Sequence, residues 1–167
     1  MKTFHTFNGN IDVSKVIKTA CFDLDWTLVR PLNTKFPRTY DDNVIMNNRI
    51  PVLKGYIKDG FHVIIFTNQK LTNKENLQFK ISRMNDIFKK FKTEGVDVLI
   101  LMSIADDIYR KPNIGMWEEF KKLCPNLQLA FYCGDAAGRK NDFSDSDIKF
   151  AENIKINFYL PETVFES

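Results

Sequence analysis

Cys21-Phe22-Asp23-Leu24-Asp25-Trp26-Thr27-Leu28-Val29 is the stretch on which the reading of the chain turns. Residues 19–22 are β-branched or apolar with no Gly or Pro, which favours a pleated, buried strand. The run then delivers two carboxylates and, just beyond them, a hydroxyl. An ionised Asp taken out of water needs a partner or a metal. Asp23 and Asp25 are therefore expected at the C-terminal mouth of the strand, where open α/β sheets bind ligands. The simpler reading of an isolated Asp-x-Asp is a turn cap, because Asp hydrogen-bonds its own backbone readily. This pair is not isolated: Phe66-Thr67-Asn68-Gln69, Tyr109-Arg110-Lys111-Pro112 and Gly134-Asp135-Ala136-Ala137-Gly138-Arg139 each fall near the end of a strand-like or loop segment.

Residues 30–48 are rich in Asn, Asp, Pro and Arg, which marks a long loop or small hairpin directly after the carboxylates. Pro51 fits the first turn of a helix with Leu53, Tyr56 and Ile57 on one face and Gly60 at its end. Residues 61–67 read as a second buried strand, in which His62 is structural. Leu77, Ile81, Met84, Phe88 and Phe91 recur at helical spacing, with Lys80, Arg83 and Lys90 on other faces. Gly95 closes that helix and residues 96–102 form a third strand. Pro112 opens a helix with Met116, Phe120 and Leu123 on one side, and residues 127–133 form a fourth strand. Ser144 reads as an N-cap with Asp147 as its reciprocal partner, for a helix through Asn153; residues 156–159 make a last short strand. Before residue 18, Phe4, Phe7, Ile11 and Val13 offer an edge strand or a crossing of the core.

Strands alternating with helices predict a single α/β, Rossmann-like domain over residues 1–167, its parallel sheet flanked by helices and its crossovers right-handed. Asp25, Thr67 and Asp135 follow three of the strands and can meet at one edge. A chain of 167 residues with 44% hydrophobic content and fifteen Phe suits a packed core. No apolar run approaches the roughly 20 residues that cross a bilayer, and no signal-peptide pattern opens the chain. A soluble, intracellular monomer without membrane contact is expected. Cys21, Cys124 and Cys133 show no metal-type pairing and suit buried thiols in a reducing compartment. A net charge of +3 neither demands nor excludes nucleic acid. Arg30, Lys35, Arg38, Lys70, Lys74, Arg110, Arg139 and Lys140, however, form a basic collar near the predicted mouth, suited to a nucleic-acid backbone. No Gly-x-x-x-x-Gly-Lys-Ser/Thr run occurs, so no ATP site is expected.

In their order, these motifs resemble the haloacid dehalogenase superfamily of phosphotransferases. More narrowly, residues 22–28, 66–69, 109–112, 134–139 and 142–151 resemble the 3′-phosphatase domain of polynucleotide kinase/phosphatase. The resemblance runs from about residue 19 to Pro161-Glu162. It implies a haloacid dehalogenase-like fold with a minimal cap, and Mg²⁺-dependent hydrolysis of 3′-phosphate monoesters at DNA ends, in strand-break processing during DNA repair. It implies Asp23 as the nucleophile that forms an aspartyl-phosphate and Asp25 as the general acid and base. A phosphate dianion repels a carboxylate, so charge must be offset first. The resemblance assigns that task to Mg²⁺ on Asp23, the Asp25 backbone carbonyl and Asp135, and to Thr67, Asn68 and Lys111 around the phosphoryl oxygens. Arg110 and Arg139 are implied contacts to DNA with 3′-phosphate ends. Asp147 stands between a helix cap and support of the metal site, and Trp26 occupies a position where the family commonly has Gly. The competing readings are a small-molecule phosphatase of the same superfamily, acting on a sugar or histidinol-type phosphate, and a non-catalytic module that binds nucleic-acid ends.

Overall fold

The strand that precedes Asp23 is β2 (Lys18–Phe22), buried at every residue after Lys18. In this computed structural model, which describes residues 1–166, β2 lies between two parallel neighbours. These are β5 (His62–Asn68) and β7 (Leu129–Cys133), with Ile65 and Cys133 opposite Phe22. Outside β5 runs β6 (Val98–Ser103), buried at all its residues, and outside β7 runs β8 (Asn157–Tyr159), both parallel. The N-terminal segment supplies the other edge as β1 (Phe4–Asn8), antiparallel to β6. The expected parallel sheet is thus a mixed one, in the order β1-β6-β5-β2-β7-β8.

Alternation along β2 decides which helices it needs. Ala20 and Phe22 face a core completed by Leu53, Met84, Ile87, Phe91 and Phe165, from α1 (Arg49–Lys58), α2 (Leu77–Thr93) and α5 (Pro161–Phe165). Cys21 faces a second core with Met116, Trp117, Phe120, Phe150 and Ala151, from α3 (Gly115–Leu123) and α4 (Ser146–Ile154). A strand buried on both faces reads as a continuous apolar run, as residues 19–22 do. Residues 31–43 are closed off by a two-stranded antiparallel pair, β3 (Val29–Arg30) with β4 (Val44–Ile45), and form the small cap expected as a hairpin.

Several expectations shift. Pro112 does not open α3: Asn113 N–H bonds Arg110 C=O at 2.8 Å, so residues 110–113 form a turn and the helix starts at Gly115. Leu123 and Ile57, expected on buried faces, are exposed. The inward stripe of α2 is Lys80, Arg83, Met84, Ile87 and Phe91, so two cations expected on other faces point inward. They do so because buried polar groups elsewhere in the fold accept their hydrogen bonds.

The turn after β2 contains the chain's departure from the Gly pattern. Leu24 C=O accepts from Leu28 N–H and Val29 N–H at 2.9 and 3.1 Å, and Trp26 N–H donates to Val29 C=O at 2.7 Å. Closing the turn this way puts Trp26 at φ 63°, in the left-handed region that favours glycine. A non-Gly residue there costs about 1–2 kcal/mol. The indole N–H donates to Lys35 C=O at 3.2 Å, so the same side chain ties the cap to the turn. Trp26→Gly is therefore expected to gain up to about 1 kcal/mol in chemical denaturation, after the added freedom of the unfolded glycine is subtracted. A loss above about 2 kcal/mol would mean that the indole anchor outweighs the backbone cost.

Candidate active site

β2 and β7 end level with each other, at Phe22 and Cys133, while β5 runs three residues further to Asn68, and the polar groups lie just past the first two strands and on the overhang of the third. Asp23 N–H continues the ladder onto Cys133 C=O at 2.9 Å, which holds Asp23 at the rim of the sheet. Its carboxylate accepts from Lys111 Nζ at 2.9 Å on Oδ1 and from Thr27 Oγ1 at 3.2 Å on Oδ2. Asp135 N–H donates to Thr27 Oγ1 at 3.1 Å, so the last polar residue of the opening motif joins both acidic segments. Thr27 is held in turn by Arg49, a buried side chain whose Nε donates to Thr27 C=O at 2.8 Å and whose guanidinium lies 4.4 Å from the Phe165 ring centroid.

The sequence pattern leaves Asp147 between a helix cap and support of the metal site. It is not the reciprocal partner of a Ser144 cap: Asp145 precedes α4 without a side-chain cap bond, and Ser144 Oγ instead accepts from Ser146 N–H. The Asp147 carboxylate is buried and accepts from Lys111 Nζ at 2.9 Å, Tyr132 OH at 2.8 Å and Ala136 N–H at 3.0 Å. Gly134 leaves the space for it, since a Cβ there would overlap the carboxylate. Asp23, Asp135 and Asp147 each bring a carboxylate oxygen within 4.8 Å of the others.

Lys111 pairs with two of the three carboxylates, and with all three ionised the cluster would carry two negative charges in excess. Burial, then the Asp147 charge, push Asp23 well above its ordinary pKa, and burial likewise raises Asp135. Burial alone would lower the Lys111 pKa, but Asp147 and Asp23 more than reverse it. A divalent cation fits both the charge excess and the all-oxygen donor set, which is the set Mg²⁺ prefers.

Asp25 faces elsewhere. Gln69 Nε2 donates to its Oδ2 at 2.8 Å, while Arg83 grips both oxygens. Burial would raise its pKa, but the Arg83 charge and these hydrogen bonds together lower it. Thr67 is buried, and its hydroxyl accepts from Gln69 Nε2 at 2.8 Å. The Asn68 side chain is committed to the backbone of Lys111, donating to its C=O at 3.0 Å and accepting from its N–H at 2.9 Å. Asn68 thus holds the segment that carries the buried ammonium.

Of the two arginines expected on nucleic acid, Arg110 is half-buried in the loop before α3. Arg139 is bound within the chain, to Asp142 at 2.9 Å and Glu162 at 2.7 Å, with 41% of its side chain exposed. The polar residues that the sequence left without a role at the site include Thr27, Arg49, Gln69, Lys80, Arg83 and Tyr132. Thr27 and Gln69 lie inside motifs already singled out, whereas Arg83 and Tyr132 sit in a helix and a strand with no local sign. Among the described residues no helix is long and apolar enough to cross a membrane.

Residues 18–165 match the family described as polynucleotide kinase 3 phosphatase. An uncharacterized 20.8 kDa protein of Autographa californica nuclear polyhedrosis virus is 36% identical over 164 residues, covering 90% of this chain and 87% of that one. The bifunctional polynucleotide phosphatase/kinase of Schizosaccharomyces pombe is 34% identical over 166 residues. That alignment takes in 92% of this chain but only 38% of the yeast protein, so the chain spans well under half of that relative. A crystallised haloacid dehalogenase-like phosphatase from Mesorhizobium loti superposes with a TM-score of 0.74 at 19% identity, over 92% of this chain and 77% of its own.

Proposed function

Since the chain belongs to the polynucleotide kinase 3 phosphatase family, haloacid dehalogenase-type phosphatases that act through an aspartate nucleophile, we propose that it removes 3′-phosphate monoesters from DNA ends with Asp23 as that nucleophile. Residues 1–167 act as one phosphatase domain in this reading. The observation that supports it most is the buried Asp23–Lys111–Asp147 arrangement with Asp135 beside it, at the carboxyl ends of the parallel strands.

The chemistry proceeds in two displacements. An Asp23 oxygen attacks phosphorus as the bond to the 3′-oxygen breaks, and Asp25, whose carboxylate form Arg83 favours in the resting protein and which enters the step after taking up a proton from solvent, delivers that proton to the leaving oxygen. Water then attacks the aspartyl-phosphate, Asp25 recovers a proton from it, and inorganic phosphate departs as the Asp23 carboxylate is restored. Lys111 and the Thr67 hydroxyl stabilise the charge on the phosphoryl oxygens, and Asn68 keeps Lys111 in place. Mg²⁺ bound by the Asp23 and Asp135 carboxylates and the Asp25 backbone carbonyl would offset repulsion between the incoming dianion and the acid cluster. Asp147 holds Lys111 from behind.

The test is phosphate release by the magnesium-loaded protein from a 3′-phosphorylated oligonucleotide, a 5′-phosphorylated one and a panel of sugar phosphates. Fastest release from the 3′-end is expected. Faster release from 5′-ends, or turnover of a sugar phosphate with oligonucleotides inert, would overturn the nucleic-acid assignment and leave the aspartate chemistry standing. Arg110→Ala adds a finer measurement. A backbone contact predicts a loss of about tenfold on the oligonucleotide with little change on a minimal aryl phosphate. Equal losses on both would move Arg110 out of substrate binding. Arg139→Ala is the less clean probe, because it also releases Asp142 and Glu162.

A further inference from the structure

By volume Arg83 is the largest fully buried side chain among the described residues, and it lies on a helix face where sequence periodicity places a solvated cation. All three of its nitrogens are engaged. Nη2 donates to Asp25 Oδ1, Nη1 donates to Asp25 Oδ2 and to Gln69 Oε1 at 3.2 Å each, and Nε donates to Asn43 Oδ1 at 2.9 Å. The two braces are independently anchored. Asn43 belongs to the cap segment, is itself buried, and donates to Tyr40 C=O at 2.8 Å and Asp86 at 2.9 Å. Gln69 follows β5 and is held by Lys80 Nζ at 3.0 Å on the same oxygen that meets Arg83.

A buried ion pair is weak evidence for stability, since well-packed apolar residues commonly serve as well. This one is aimed at the single carboxylate outside the acid cluster that the proposed reaction needs. It is also two-pronged: a planar guanidinium fixes the plane of a carboxylate in a way that a lysine cannot. Asp25 Oδ2 accepts two hydrogen bonds and Oδ1 accepts one, so Oδ1 retains the freer lone pair.

Resting on Asp25 as the proton-exchanging group proposed above, we infer that Arg83 is a positioning residue for the leaving-group step, braced from the cap by Asn43 and from the sheet by Gln69. Asp25 Oδ1 is the atom it presents. In phosphoryl transfer the Oδ1–H bond breaks as the departing alkoxide oxygen, which keeps the electron pair of the P–O bond, gains that proton. In hydrolysis a water O–H breaks and Oδ1–H re-forms. Arg83 keeps its protons throughout and touches neither substrate nor phosphorus.

The experiment compares kcat/KM, which reports phosphoryl transfer to the enzyme, for two esters on the magnesium-loaded full chain. Glycerol 2-phosphate releases an alkoxide that needs a proton, whereas p-nitrophenyl phosphate releases a phenolate that does not. Compared at each protein's own pH optimum, since removing the Arg83 charge also favours protonated Asp25, Arg83→Met is expected to lose about a hundredfold on the alkyl ester and less than about tenfold on the nitrophenyl ester. Arg83→Lys should recover part of the alkyl loss. Asn43→Ala, which keeps the guanidinium, should show the same imbalance at smaller size, and it decides the matter with Arg83→Lys if Arg83→Met does not fold. Equal losses on both esters in folded variants would reduce Arg83 to a structural role and overturn the inference. Asp25→Asn separates the two levels. If it shows the imbalance and the Arg83 and Asn43 variants do not, only the positioning role falls; if it shows none, the Asp25 assignment falls and the inference with it.

Discussion

Asp23→Asn is expected to reduce phosphate release by about 10⁵-fold or more, the scale of losing a nucleophile, while the protein stays folded. The amide is nearly isosteric and creates no cavity. Its oxygen can still accept from Lys111 Nζ or Thr27 Oγ1, which meet the Asp23 carboxylate at 2.9 and 3.2 Å. The substitution also removes one ionisable carboxyl from a cluster in which three acids face one ammonium. Burial already disfavours the ionised form of Asp23 in the metal-free fold. The melting temperature of the metal-free variant should therefore equal or exceed that of the parent. Phosphate release and the mass of an acid-quenched reaction check the two halves: the parent should carry a phosphorylated aspartate and the variant should not. Turnover near the parental rate, or a phosphoryl group trapped on another residue, would take the role from Asp23.

Lys111→Met should produce the largest loss of stability. Its ammonium is buried between Asp23 and Asp147 and bonds Tyr132 OH at 2.7 Å. Without it, the Asp23, Asp135 and Asp147 carboxylates face one another with no cation between them. Breaking a buried pair by removing one partner costs about 3–5 kcal/mol, so denaturant unfolding of the metal-free protein should show a drop of that order. Magnesium should return part of it by ligand linkage. Activity should fall by about 10²–10³-fold, the scale of one oriented charge-stabilising donor. A variant as stable as the parent would mean that the cluster is neutral in the resting protein and that Lys111 is not its counter-charge.

The contrast between Lys111 and Arg83 shows where local pattern carries information. Lys111 follows an apolar strand within a compact run of unusual residues, so its sequence surroundings mark it. Arg83 lies in the middle of an amphipathic helix, where a cation every three or four residues is what a solvated face looks like. Nothing within one turn of helix distinguishes it from Lys90, which pairs with Asp86 at half-exposed positions. Asp147 poses the same problem in another form. An acid in the first turn of a helix has a sufficient local explanation in the helix terminus, and it is Lys111, Tyr132 and the Ala136 N–H, brought in from outside the helix, that replace it.

The sequence by itself determined the alternation of strands and helices, the burial of β2 on both faces, and the order in which Asp23, Thr67, Lys111 and Asp135 come at or after the ends of their strands. These depend on the spacing of apolar residues and on where each run stops, and both are local. The tertiary structure alone decided which polar side chains leave water. Lys80 and Arg83 turn inward because Gln69 and Asp25 accept from them, and Asp147 leaves its cap for Lys111, 36 residues back along the chain. Tyr132 finds a partner for its hydroxyl on a neighbouring helix. Burying a charge is unfavourable until a partner of opposite charge is fixed beside it. Lys80 has its counter-charge close by in Glu75, five residues back, but for Arg83 and Asp147 the partner comes from a different element, so its presence is a property of the assembled fold and not of the residues on either side.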